Sequence, residues 1–164
     1  MRTLKKNIAL LMILSLLVGM CSCSEGVGIF RRDERTIDDF KREATEISVR
    51  ILNRIFKGDY DTVKNFVSSD EAKQIKPVMG ELSPEMSRSA MVIVEEVNIE
   101  EGSYDTDVHY RVTFRSTTIT RSFSFVMKME RNGNGWVISN ALPLFADMRE
   151  LNETYLDWKR ELDA

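Results

Sequence analysis

The sequence predicts an α+β fold: N-terminal helices packed on a curved antiparallel four-stranded sheet, plus a C-terminal helix. Three observations predict it. Apolar residues recur at helical spacing from Ile37 to Ile55. The period switches to two from Val92 onward. After Pro143 it returns to alternating steps of four and three. A run of helices followed by a run of strands is the α+β pattern, distinct from the strand–helix alternation of parallel folds.

The 164 residues suit one domain with an appendage rather than two domains. The appendage comes first. Arg2, Lys5 and Lys6 precede an apolar run from Ile8 to Met20, broken only by Ser15 and Gly19. Such a run falls short of the roughly 20 residues a comfortable membrane span needs. It fits the apolar core of a secretory signal better than a transmembrane anchor, the weaker alternative. Both cysteines of the chain, Cys21 and Cys23, follow at once, so the remainder holds no disulfide pair.

Met20-Cys21-Ser22-Cys23 resembles a lipobox, in which an apolar residue and two small ones precede an acylated cysteine. Cys23 has the small Ser22 before it, whereas Cys21 would have the bulky Met20 there, so Cys23 is the candidate lipidation site. Each buried acyl CH2 contributes about 0.8 kcal/mol, and stable anchoring takes more than one chain. The expected organisation is a signal peptide over 1–22, a flexible tether over 23–35, an α+β domain over 36–140 and an amphipathic helix over 141–164. The expected location is the cell envelope, held by lipid to a membrane. Ser24 after the anchor, in place of an aspartate, favours the outer membrane.

Removal of 1–22 takes away three basic residues and leaves 20 basic against 26 acidic, a net charge of −6 with His109 neutral. An acidic domain without a basic stripe excludes nucleic acid as an expected partner. It makes charge-driven binding to anionic lipid unfavourable too.

Within the domain, Thr36 to Asp39 reads as a capping box with Asp in place of Glu. Ile37, Phe40, Ala44, Ile47, Ile51 and Ile55 then line one helix face, and Gly58 ends the helix. Asp59 caps a short helix carrying Tyr60 and Val63. Ser68 to Met79 reads as a third helix, and Ser83-Pro84 as another short start. Val92 and Val94 begin the strands. Glu95-Glu96 puts the alternation out of phase before Val97 and Ile99 resume, which marks a β-bulge. A loop at Thr117-Thr118 pairs Val112 with Phe123 and Tyr110 with Phe125. The turn at Gly133-Asn134 pairs Met129 with Ile138. Finally Leu144, Met148, Leu151, Tyr155, Trp158 and Leu162 form a narrow stripe on the last helix. That stripe either docks on the domain's own surface or makes a homodimer contact through Met148, Leu151, Tyr155 and Trp158.

The phrase Ile51-Leu52-Asn53-Arg54-Ile55-Phe56-Lys57-Gly58-Asp59-Tyr60-Asp61 resembles the opening of the nuclear transport factor 2-like (cystatin-like) superfamily. The resemblance covers about residues 36–140 and departs from the minimal pattern at the terminal helix. It implies a first helix wrapped by a curved sheet, with a cone between them. Some members of that superfamily are isomerases or dehydratases with Asp or His in the cone, while many others only bind ligands or proteins.

The candidate chemistry is sparse. His109, the single histidine, alternates away from the buried side and reads as a surface residue. Asp59 and Asp61 sit at a helix start, Asp105 and Asp107 at a turn. Neither pair supplies the six or more oxygens of a calcium site. No carboxylate or histidine points into the cone from the strands, so general acid–base work lacks its titratable group. No cofactor motif is present, and no enzyme activity is expected. The expected function is a non-catalytic binding or protein-interaction module. The alternative is a pocket for a small apolar ligand, with Tyr110, Arg121, Phe125 and Trp136 as its contacts, and behind it an isomerase- or dehydratase-like enzyme of the kind the resemblance includes.

Overall fold

The computed structural model describes residues 35–100, 102–133 and 135–164. The expected signal peptide, the candidate lipidation site Cys23 and all but the last residue of the expected 23–35 tether lie outside the described residues.

Helix α1, Ile37–Phe56, opens on a complete capping box. The Thr36 hydroxyl accepts from the Asp39 N–H, and the Asp39 carboxylate accepts from the Thr36 N–H at 3.0 Å. It closes on Gly58, whose φ of +67° is the left-handed conformation the exit requires. There the Asp59 N–H reaches back to the Arg54 carbonyl and the Gly58 N–H to that of Ile55, both at 2.9 Å. Asp59 caps the short helix α2, Tyr60–Val63, which runs into a 3-10 turn over Lys64–Phe66. Helix α3, Ser69–Glu81, again begins in a capping box, from Ser68 and Glu71. It runs two residues beyond Met79 and carries Pro77 on its exposed face. A single turn, α4 (Met86–Ser89), leads into the sheet.

The strands are β1 (Ala90–Ile99), β2 (Thr106–Arg115), β3 (Thr120–Asn132) and β4 (Gly135–Ile138), an open antiparallel meander in that order. The alternation set the register. Val112 pairs with Phe123, Tyr110 with Phe125, and Met129 with Ile138. The bulge falls between Val94 and Glu96.

One sheet face is apolar, and it is covered twice. Helix α1 lies against β1 to β3, and helix α5 (Ala141–Leu162) packs on β3 and α3. The core they share includes Ile51, Leu52 and Ile55 from α1 and Val108, Val112 and Met127 from the strands. Phe145, Met148 and Leu151 join it from α5. Each such side chain, fully buried, contributes about 1.5–3 kcal/mol. Helix α5 begins ahead of its apolar stripe, whose first residue is Leu144. Ala141 opens it, and Pro143 sits in the first turn, where its missing N–H costs no intrahelical bond.

Candidate functional site

The concave face of the sheet is the site the sequence nominated, and side chains fill it. Tyr110, in the middle of β2, is fully buried with its hydroxyl 2.6 Å from the Ser48 Oγ of α1. Ser48 donates its own proton to the Thr45 carbonyl at 2.9 Å, so Tyr110 is the donor in the shared bond. Burial pushes the Tyr110 hydroxyl up to about 12, against the smaller opposing effect of its Ser48 bond. It therefore stays protonated at neutral pH and serves as a structural donor rather than a base. Phe125 stacks on Tyr110 with ring centroids 5.3 Å apart. Trp136 is buried on β4, and its indole N–H finds no hydrogen-bond partner.

Of the four residues expected to contact an apolar ligand, the fold brings Tyr110 and Phe125 together as neighbours across β2 and β3. Trp136 lies opposite Arg131 in the short β3–β4 hairpin. Arg121 is solvent-exposed and forks onto Glu161 of α5, at 2.7 and 2.8 Å. Tyr110 and Arg121 are thus engaged separately, Tyr110 with α1 and Arg121 with the C-terminal helix.

The terminal stripe is resolved in the same way. Met148, Leu151, Tyr155 and Trp158 are all buried within the chain. Tyr155 and Trp158 form a three-ring cluster with Phe114, at centroid distances of 5.3 to 6.0 Å. The stripe thus docks on the domain's own surface, the first of its two readings, and Met148, Leu151, Tyr155 and Trp158 are buried there rather than presented to a second copy.

Polar groups invisible in the apolar pattern fix α5 along its length. Its N-cap, Asn140, has a left-handed backbone (φ +52°) and makes no side-chain cap. The Glu71 carboxylate accepts the Ala141 N–H instead, at 2.7 Å and from seventy residues earlier. Asn152, nearly buried, accepts the Ser83 N–H at 2.8 Å and donates to the Glu81 carbonyl at 3.4 Å. Arg149 pairs with Glu81 and Lys159 with Glu85.

The other end of α1 carries a cation–π cluster. Tyr104 packs on Phe40 at 4.4 Å, and the guanidinium groups of Arg35 and Arg131 lie over the Phe40 ring at 5.1 and 4.8 Å. Tyr104 holds a φ of +62°, strained for a bulky residue, and this packing sets its position.

An open cleft of about 390 Å³ remains at one end of the sheet, with Asn98, Glu100, Asp105, Asp107 and Lys128 among its lining residues. Lys128 lies 3.5 Å from Asp107. The cleft is polar, unlike the apolar pocket expected from the concave face. Among the described residues no group of three His, Cys, Asp or Glu side chains is placed to hold a metal ion. His109 lies on the outer sheet face, with its Nε2 3.4 Å from the Asn98 amide. Among the described residues no helix is long and apolar enough to cross a membrane.

No family model, curated protein or solved structure matches the chain, so its own geometry carries the functional argument.

Proposed function

We propose that the chain is a lipid-anchored lipoprotein of the cell envelope whose domain is a non-catalytic protein-interaction module. The observation that carries the non-catalytic part is the closed concave face. Tyr110 is bonded to Ser48 and stacked on Phe125, and among the described residues no carboxylate or histidine is buried in the core with it. A site for acid–base chemistry needs a titratable group within hydrogen-bonding reach of a bound substrate, and the filling of the concave face around Tyr110 speaks for a packing role of that face. The anchoring part rests on the basic cluster, the short apolar run and the Cys23 motif of the sequence. Helix-first order and a bent sheet accord with the cystatin-like resemblance, whose members include plain binding proteins.

Metabolic labelling with an alkyne fatty acid tests the anchor. The chain takes up the label, and Cys23→Ser abolishes it; a Cys23→Ser protein that still labels removes Cys23 from the proposal. Native mass spectrometry of the same protein tests the domain. A chain free of small molecules supports the interaction reading. A stoichiometric small mass would replace it with ligand binding.

A further inference from the structure

The two sheet edges are built differently. The β4 edge is four residues long, and its Trp136 and Ile138 are buried. The β1 edge is ten residues long. Its C-terminal half is guarded by the bulge and by Glu95 and Glu96, the usual means of stopping strand addition. Its N-terminal half has no such guard: Met91 is 53%, Val92 37% and Ile93 47% exposed. No charge, proline or bulge interrupts Ala90 to Val94.

We propose that this half-edge pairs with the same strand of a second copy of the chain. The segment is self-complementary about Val92. Antiparallel pairing on a two-fold axis there sets Val92 against Val92, Met91 against Ile93 and Ala90 against Val94. On the outer face each copy adds Met91 and Ile93, making one continuous apolar strip across the junction. Charge selects the same orientation. Arg88 flanks one end of the segment, and Glu96 flanks the other beside Glu95, which is paired with Arg111 at 2.6 Å. Arg88 and Glu96 are both exposed, and among the described residues neither side chain makes a hydrogen bond or an ion pair. Antiparallel pairing about Val92 brings Arg88 of each copy to Glu96 of the other, whereas parallel pairing would set like charges together. The product is a continuous eight-stranded sheet whose outer termini are the two short β4 edges. The pairing leaves the concave face and α5 untouched.

Val92→Cys in the full chain, under mild oxidation, tests this. Directly opposed residues of an antiparallel pair have Cα atoms about 4.5–5.5 Å apart, within the range a disulfide spans. A band of doubled mass, above the background of the parent chain and mapped by peptide analysis to position 92 of both copies, is the expected result. Adding Ile93→Lys abolishes it, and Asn98→Cys gives none. The proposal is overturned by the absence of that band, or by a cross-link to a different protein or to another segment of this chain. If Val92→Cys does not accumulate, sedimentation in detergent decides. The parent chain runs at twice the monomer mass and the Ile93→Lys chain at the monomer mass; equal masses for the two overturn the proposal.

Discussion

Helices α1 and α5 lie on the same sheet face and are of similar length, 20 and 22 residues, yet different means hold them. Helix α1 is locally self-sufficient. Thr36 and Asp39 cap its start, Gly58 closes its end, and its apolar residues recur on one side. Among the described residues its buried polar contact with the sheet is Ser48 to Tyr110. Helix α5 lacks a side-chain cap of its own and borrows one from Glu71. Asn152 in its middle and Lys159 and Glu161 near its end reach residues some forty to seventy positions earlier. A helix can thus be specified by its own sequence or by partners that only the finished fold supplies.

The largest effect expected from breaking this arrangement is one the two helices share. Leu52→Ala in α1 and Leu151→Ala in α5 each remove a fully buried side chain, at a cost of about 2–5 kcal/mol. Urea unfolding of the two variants should show comparable losses of midpoint with little change of slope. A Leu151→Ala chain that unfolds like the parent would mean that α5 is not part of the cooperative core.

Polar truncation separates the two helices. Asn152→Ala leaves the Ser83 N–H without its partner in a nearly buried position, at a cost of about 1–3 kcal/mol. Ser48→Ala leaves the buried Tyr110 hydroxyl without its acceptor, a cost of about 1–3 kcal/mol for one orphaned group against the two bonds that Asn152→Ala removes. Unfolding free energies from the same titrations rank them. A Ser48→Ala loss larger than that of Asn152→Ala would invert the comparison and make the α1–β2 bond the dominant polar tie.

The same distinction explains what the sequence disclosed. Element order, the bulge at Glu95 and the pairing of Tyr110 with Phe125 follow from periods of 3.6 and two, which act over a few residues. The caps at Thr36, Asp59 and Ser68 are equally local. What was not legible lies at long sequence separation. Nothing near Asn140 indicates that Glu71 caps the helix after it, and nothing near Ser48 announces Tyr110. Whether the cone holds a ligand was also beyond the pattern, because an inward row of Tyr, Phe, Met and Trp looks the same lining a pocket or filling a core. The helix faces that pack against the row decide it. Ser48, at an inward position of α1, was the available signal: a hydroxyl on an apolar face needs a polar partner opposite.

The borrowed cap makes the smallest of the three effects and the only one that depends on pH. Burial alone would raise the Glu71 carboxyl. Hydrogen bonds from the Ser68 hydroxyl, the Ala141 N–H and the Ser68 N–H outweigh it and hold the group below its ordinary value of 4.5. A carboxylate with a lowered folded-state pKa contributes stability that is present above its unfolded value and lost as pH falls through the folded one. Glu71→Ala removes the borrowed cap of α5 and the reciprocal half of the α3 capping box, while the Ser68 hydroxyl still accepts the N–H of residue 71, at a cost on the order of 1 kcal/mol near neutral pH. Unfolding of the parent and Glu71→Ala chains at a series of pH values should give a gap that is constant above about pH 5 and narrows below pH 4.5 as the parent carboxyl protonates. A gap that persists unchanged into strong acid would mean that Glu71 acts through packing rather than through its charge. A gap absent at pH 7 would mean that α5 starts without it, and the contrast with α1 would then rest on Asn152 and the C-terminal ion pairs.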